Sequence, residues 1–172
     1  MTGYKPTPPV NVVLGGSGVA SVDLYPCPSW GRWCITVGGA VKAGTFTITA
    51  SYGGDGNNRG SSSTVSLTIK PVKTSLSVSC TSSSVAVGSG VTCTATLTGY
   101  YGSVAGETIS WSQPSGKGSV SFPSLPTCTL SSAGTCTITV TGTSKGSVTI
   151  EVIYSGDTDD LGSSKTAGLK VT

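Results

Sequence analysis

One segment of this sequence occurs twice, 102 positions apart. The first copy runs from Ile48 to Ile69 and the second from Ile150 to Val171. Tyr, Gly and Asp fall at equal offsets in both copies, as in Tyr52 and Tyr154. Apolar residues alternate with polar ones on both sides of a turn rich in Gly, Asp and Asn, which is the pattern of a β-hairpin. The chain is therefore expected to contain two copies of one β-rich unit.

The composition excludes several functional classes. The 172 residues include no His, which removes a common general base and the commonest metal ligand. The ten Lys and Arg residues are scattered, whereas a nucleic-acid surface needs a basic stripe. No segment has the length and apolarity of a membrane span. We expect no enzyme, no catalytic residue, no cofactor, no nucleic-acid partner and no membrane span.

The second copy predicts a complete two-sheet sandwich. Residues 74–172 contain about seven or eight short alternating strands, separated by turns every eight to twelve residues. The first copy occupies residues 1–70, and residues 71–73 form a short stiff linker that is too short to be flexible. We expect the two units to follow one another end to end.

The first copy lacks part of this pattern. Nothing in it corresponds to Thr74 to Leu97, which is a pair of strands in the second copy. The predicted fold class is therefore all-β, with two tandem β-sandwich domains of which the first lacks its two N-terminal strands. Such a domain leaves apolar side chains uncovered and a sheet edge open to pairing. Either the sequence is an excerpt of a longer array, or another subunit adds the missing strands.

Three groups of residues indicate a known family. They are Cys80 with Val-Thr-Cys93-Thr-Ala, then Cys128-Thr-Leu with Gly-Thr-Cys136-Thr-Ile, and then Tyr154-x-Gly-Asp157 followed by a Ser-rich strand. This pattern resembles the tandem immunoglobulin-like repeats of bacterial and archaeal cell-surface and filament proteins. The resemblance implies an extracellular spacer, an adhesin stalk or a filament building block. We interpret Trp111 as the core Trp of such a sandwich, and Tyr52 and Tyr154 as core or corner tyrosines.

The six cysteines predict three disulfides and an extracellular location, because disulfides persist in oxidising surroundings. The pairing that fits both copies is local: Cys27–Cys34, Cys80–Cys93 and Cys128–Cys136, each closing a hairpin. A bond between Cys93 and Cys136 on neighbouring strands is the alternative. Cys34 is out of phase with the apolar positions that follow it, which predicts a β-bulge there.

Two further groups of residues are candidate sites. Trp30, Arg32 and Trp33 lie in a Cys-bounded loop that has no aromatic counterpart in the second copy. They could pack over their own domain, anchor a subunit interface or hold a surface glycan. Asp55 in one copy, and Asp157, Asp159 and Asp160 in the other, supply oxygens that suit Ca²⁺ but lack the distal Glu of an EF-hand. We interpret these acidic residues as turn formers and expect no metal.

These observations give three functional hypotheses. The first is a structural subunit of a prokaryotic surface filament or pilus, in which strands of a neighbouring subunit complete the first domain. The second is a stalk or spacer in a longer cell-surface adhesin. The third, from another class, is a carbohydrate-binding module that uses the Trp30 and Trp33 loop. The expected partners are other copies of the chain or neighbouring repeats placed end to end.

Overall fold

A computed structural model of the chain describes residues 10–26 and 33–172. The chain divides into unit 1, Met1–Pro71, and unit 2, Val72–Thr172. Val72 and Lys73, which the sequence assigns to a linker, therefore belong to unit 2. The described residues contain β-strands and turns, and none of them forms a helix that is long and apolar enough to cross a membrane.

Unit 1 contains five strands in the described part of the chain. They are β1 (Val10–Gly16), β2 (Val19–Pro26), β3 (Trp33–Lys42), β4 (Gly44–Gly54) and β5 (Arg59–Ile69). Strands β1, β4 and β5 form one antiparallel sheet, and β2 pairs with β3 in a second one. Phe46 lies opposite Leu67 and Ile48 opposite Val65, so the alternating apolar residues of the β4–β5 hairpin share one face.

The register of β2 and β3 corrects one local prediction. Cys34 was expected at a bulge, but it pairs with Tyr25 in a register that is unbroken from Ser21 to Pro26. The irregularity lies elsewhere, between Val19 and Ser21. Adjacent residues of a strand point to opposite faces, so Cys34 and Ile35 project from opposite faces of β3 without any bulge.

Unit 2 contains ten strands. They are β6 (Val72–Lys73), β7 (Ser75–Cys80), β8 (Ser84–Val85), β9 (Gly90–Thr98), β10 (Thr108–Gly116), β11 (Ser119–Ser121), β12 (Thr127–Thr129), β13 (Thr135–Ser144), β14 (Gly146–Gly156) and β15 (Asp160–Val171). One sheet has the order β7-β9-β13-β11 and the other has β12-β10-β14-β15-β6, with β8 also paired to β15.

This strand order is that of an immunoglobulin-like sandwich. Strands β7, β9, β13 and β11 take the places of strands A, B, E and D, and β10, β14 and β15 take those of C, F and G. In unit 1, β1, β4 and β5 have the order C-F-G, and β2 and β3 form the D–E pair. The predicted fold class is confirmed, as is the resemblance to tandem immunoglobulin-like repeats at the level of the fold.

The core of unit 2 lies between its two sheets. The longer strands contribute alternate residues to it, and the fully buried side chains include Leu97, Ile109, Val140, Ile150 and Val152. Trp111 on β10 is buried among them, and its indole N–H donates a hydrogen bond to the Cys128 sulfur at 3.1 Å. A buried Trp at this place is a property of immunoglobulin-like domains.

Residues 74–98 form one continuous element, which we call the A–B segment. It contains β7, β8 and β9, and a disulfide between the directly paired Cys80 and Cys93 closes the loop between β7 and β9. Strand β9 pairs along β13, while β8 in that loop pairs in parallel with β15. The A–B segment therefore contacts both sheets of unit 2.

The other disulfide of unit 2 has a different role from the predicted one. Cys128 is bonded to Cys136, but β12 belongs to the sheet of β10 and β13 to the opposite sheet. The bond therefore links the two layers instead of closing a hairpin within one sheet. Neither of the two disulfides of unit 2 attaches the A–B segment to the remaining strands. The alternative pairing of Cys93 with Cys136 is not formed.

The repeated hairpin owes its conserved glycines to backbone geometry. Gly54 and Gly156 have φ values of +86° and +80°, in the left-handed region that favours glycine. At Gly60 and Gly162 a Cβ atom would lie 3.0 Å and 2.8 Å from the nearest backbone oxygen across the turn. Each of these four positions therefore excludes a side chain for a local steric reason.

Replacing a core residue of the A–B segment should destabilise unit 2 strongly. Leu97 is fully buried, so we expect Leu97→Ala to lower the free energy of unfolding of unit 2 by about 2–5 kcal/mol. Leu125 is 74% exposed, and Leu125→Ala should change it by less than about 0.5 kcal/mol. Urea unfolding followed through the NMR signals of unit 2 measures both values. Equal effects of the two variants would contradict the assigned core.

Candidate functional site: an uncovered sheet face in unit 1

In unit 2 the A–B segment covers the edge of β15. The Lys170 amide donates to the Ser83 carbonyl oxygen at 3.0 Å, and the Thr172 amide donates to the Val85 carbonyl oxygen at 2.9 Å. Val85 is itself buried, as are Leu169 and Val171 on β15. The loop of the A–B segment thus satisfies the backbone of β15 and contributes an apolar side chain to the same core.

Among the residues that the structure describes, no equivalent segment covers the edge of β5 in unit 1. Strand β5 corresponds to β15, and Leu67 corresponds to Leu169. Leu67 is 39% exposed, whereas Leu169 is 3% exposed. Val65, whose counterpart Ala167 packs against the core of unit 2, is 52% exposed. The hairpin of unit 2 therefore buries the apolar residues of both strands, whereas in unit 1 Phe46 and Ile48 on β4 are buried and Val65 and Leu67 on β5 are exposed.

The backbone of β5 is also open on one side. Thr68 lies opposite Thr45, and Lys170 lies opposite Ser147 in the same register of the repeated hairpin. The Lys170 amide points away from β14, towards Ser83, so the Thr68 amide points away from β4. Among the strands that the structure describes, β5 pairs with β4 and with no other. Apart from Arg59 at its start, next to the turn, β5 contains no charged residue and no Pro, the devices that commonly protect sheet edges from pairing. The open edge of β5 can therefore accept hydrogen bonds from another strand and donate to it.

Exposed apolar side chains are concentrated in unit 1. Six of the ten large exposed apolar side chains in the described residues belong to it, although it is the shorter unit. They are Val13, Leu14, Val37, Val41, Val65 and Leu67. These residues lie on both sheets of unit 1, and two of them, Val65 and Leu67, share one face of β5. We call the open edge of β5 and its exposed apolar side chains, Val65 and Leu67, the acceptor face.

The acidic residues of the repeated turn act as turn formers in the structure. Asp55 accepts hydrogen bonds from the Tyr52 hydroxyl at 2.7 Å and from the amides of Asn57 and Asn58 at 2.8 Å each. The Tyr52 hydroxyl first, and then the Asn57 amide and the Asn58 side chain, hold the pKa of Asp55 at about 2. Because the folded pKa is lowered, this stabilisation is lost as the pH falls towards that value.

The turn of unit 2 is built in the same way, with one addition. Asp157 accepts hydrogen bonds from the amides of Asp159 and Asp160 at 2.8 Å and 2.7 Å. Asp160 is buried at 2% exposure and accepts a hydrogen bond from the Tyr101 amide at 2.8 Å. The sequence did not indicate this contact, which ties the loop after β9 to the β14–β15 turn. Asp160 stands at the place that the exposed Asn58 occupies in unit 1.

Burial raises the pKa of two groups beside this turn. It raises the pKa of Asp160 above its ordinary value, against the lowering effect of the Tyr101 amide, and the Asp157 and Asp159 carboxylates raise it further. It also raises the pKa of Tyr154 to about 12. The Tyr154 hydroxyl is buried and has no hydrogen-bond partner among the described residues, whereas its counterpart Tyr52 donates to Asp55. The shared Tyr-x-Gly-Asp pattern thus produces two different hydrogen-bond arrangements.

The other candidate residues that the sequence indicates do not form a site in the described structure. In the part of the chain that the structure describes, no group of three His, Cys, Asp or Glu side chains is arranged to hold a metal ion. Trp30 and Arg32 lie outside the described residues, as do Cys27 and the side chain of Trp33. Cys34 is disulfide-bonded. The interface and glycan hypotheses for this loop therefore stay predictions.

Comparison with known proteins finds distant structural likeness. No protein-family model and no curated protein matches the sequence. The D00-D0 domain of intimin has a TM-score of 0.41 at 15% identity, with 96% of this chain and 87% of that chain covered. The Yersinia pseudotuberculosis adhesin InvE has a TM-score of 0.48 at 16% identity, with 98% and 50% covered. Domains 1–6 of the surface layer protein SbsC have a TM-score of 0.44 at 21% identity, with 91% and 20% covered.

The buried Asp160 should make the stability of unit 2 depend on pH. A raised folded pKa means that this group favours folding below its ordinary pKa and loses that contribution as the pH rises through the folded value. We therefore expect Asp160→Asn to increase the melting temperature of unit 2 more at pH 7 than at pH 3.

The difference between the two pH values is the quantity to measure, because any cost of burying the Asn amide is the same at both. Calorimetry of the full chain gives it, with Asp23→Asn on the exposed part of β2 as the control. An Asp160→Asn effect that is equal at both pH values would contradict the raised pKa of the buried Asp160 carboxyl.

Proposed function

We propose that the chain is part of a structural protein of the prokaryotic cell surface, a filament or pilus subunit in which strands of a neighbouring subunit complete unit 1. The observation that carries the proposal is the contrast between Leu67 and Leu169. The two residues occupy the same place in the repeated hairpin, yet one is exposed and the other is buried under the A–B segment. A neighbouring subunit that supplies the equivalent segment would give unit 1 the same cover.

The free energy available at the acceptor face supports this proposal. Fully burying one Val or Leu side chain contributes about 1.5–3 kcal/mol, and the face offers both Val65 and Leu67. A strand added beside β5 also receives backbone hydrogen bonds, as β8 does on β15. Recognition by strand addition obtains affinity from the backbone and specificity from alternate side chains. The acceptor face provides both.

The disulfides support an extracellular location. The described cysteines are all disulfide-bonded, and disulfides are rare where thiols are kept reduced. Lys, Arg, Asp and Glu make up only 10% of the sequence, while Ser and Thr fill the outward positions of β7, β9 and β13. No group of residues in the described part resembles a catalytic site. A structural role therefore accounts for more of these features than an enzymatic one.

Photo-crosslinking in the surface-assembled protein tests the proposal. A benzophenone amino acid at position 67 should form crosslinks between subunits, because a neighbour's strand lies on Leu67. The matched control is position 161, since Leu161 of unit 2 is similarly exposed at 44% but lies outside the acceptor face. We expect a ladder of multimers on a denaturing gel from position 67 and at least tenfold less from position 161.

The other outcomes are equally informative. Crosslinks from position 67 that stay within one polypeptide would show that the chain covers its own unit 1, which contradicts donation by a neighbour and favours the stalk hypothesis. Multimers of equal yield from both positions would show non-specific contact. An absence of crosslinks from position 67 would show that the acceptor face has no partner strand.

A further inference from the structure

The A–B segment of unit 2 shows which element can close an acceptor face. It lies on both layers at once, since β9 pairs along β13 and β8 pairs with β15. The backbone contacts continue between these strands, where the Gly88 amide donates to the Gly142 carbonyl oxygen at 2.8 Å and the Gly142 amide donates to the Ser89 carbonyl oxygen at 3.0 Å. A single added strand would reproduce only one of these contacts.

The segment is covalently closed but covalently separate from the rest of its sandwich. Its disulfide joins Cys80 to Cys93, both within residues 74–98. The Cys128–Cys136 bond joins the two layers formed by the other strands. The closed loop orders the turn that carries Val85, and an ordered element loses less entropy on binding. The A–B segment therefore has the properties of a detachable module.

The arrangement of unit 1 matches the rest of unit 2 once that module is left out. The range of β3 corresponds to that of β13, and the range of β4 corresponds to that of β14, at the repeat distance of 102 positions. Strand β5 ends at Ile69, the counterpart of Val171. In unit 2 the Val171 side chain lies beside Val85, since a Cβ on Gly142 would meet both, at 2.9 Å and 3.2 Å. The place beside Ile69 is thus the place for an apolar loop residue.

We infer that the partner of unit 1 is a disulfide-closed hairpin of the A–B type, which lays the loop between its strands in parallel along β5 and inserts an apolar residue beside Ile69. This inference rests on the proposed function and specifies the partner. The two strands of the partner hairpin alternate Ser or Thr on the outside with Leu, Val, Ala or Cys on the inside, as residues 74–98 do. The partner thus differs from a single donated strand in topology and in direction.

One position decides how closely the partner copies the segment of unit 2. Ala40 stands where unit 2 has Gly142, at which a Cβ would lie 2.9 Å from the Ala86 carbonyl oxygen. The segment of unit 2 therefore fits the wild-type unit 1 only after a small shift of its loop. An Ala40→Gly chain removes this obstacle and is the appropriate second acceptor.

A synthetic peptide tests the inference directly. The probe is residues 74–98 with the Cys80–Cys93 bond formed, added to the full 172-residue chain with wild-type Ala40 and with Ala40→Gly. We expect saturable binding in calorimetry and NMR shift changes on β3 and β5, with β13 and β15 unchanged. Val85→Asp in the peptide should weaken binding at least tenfold, because it places a charge beside Ile69. Ala86→Asp is the matched control, since Ala86 is exposed, and should bind like the parent peptide.

Three results would overturn the inference: no binding to either chain, equal binding of the Val85→Asp and Ala86→Asp peptides, or shift changes confined to unit 2. The proposed function can fail separately. Inter-subunit crosslinks from position 67 without peptide binding would leave a donated partner of another kind. Peptide binding without such crosslinks would leave the acceptor face but remove the neighbouring subunit as its source.

Discussion

The structure depends on how one sheet edge is covered. In unit 2 the A–B segment extends the sheet of β13 and closes the edge of β15, so both layers of the sandwich depend on one element of 25 residues, 74–98. Its inward side chains, such as Leu97 and Val85, lie in the common core. Removal of this element would expose that core and free the outward amides of β15. Unit 1 contains the same hairpin without this element among its described residues.

The repeat provides an internal comparison that a single domain would not. Leu67 and Leu169 share their residue type, their hairpin and their register, but Leu169 is buried beside the A–B segment, and no equivalent segment lies beside Leu67 among the described residues. The turn gives a second comparison, because Asp55 and Asp157 cap their turns in the same way while Asn58 and Asp160 differ. The shared features follow from the common hairpin, whereas the differences arise from what packs beside it, which for Asp160 is the loop that carries Tyr101.

Much of the fold followed from alternation and repetition in the sequence. The hairpin register, the core face of β9 and β13 and the burial of Trp111 are all consequences of the two-residue period of a strand. The parallel pairing of β6 and β8 with β15 could not be predicted, because two-residue strands have no period. The link that Cys128 and Cys136 make between the two layers could not be predicted either, because the sequence does not show which sheet β12 joins. The burial of Asp160 depends on the Tyr101 amide, which is 59 residues away in sequence.

Hydrogen exchange at Thr68 and Lys170 tests the central claim most directly. The two amides occupy the same place on β5 and β15, and that of Lys170 donates to the Ser83 carbonyl oxygen of the A–B segment. In the dilute, monomeric chain we predict that Thr68 exchanges at least a hundredfold faster than Lys170. In the assembled protein Thr68 should become protected to a similar degree. Equal protection of both amides in the monomer would show that unit 1 is already closed and would contradict the account.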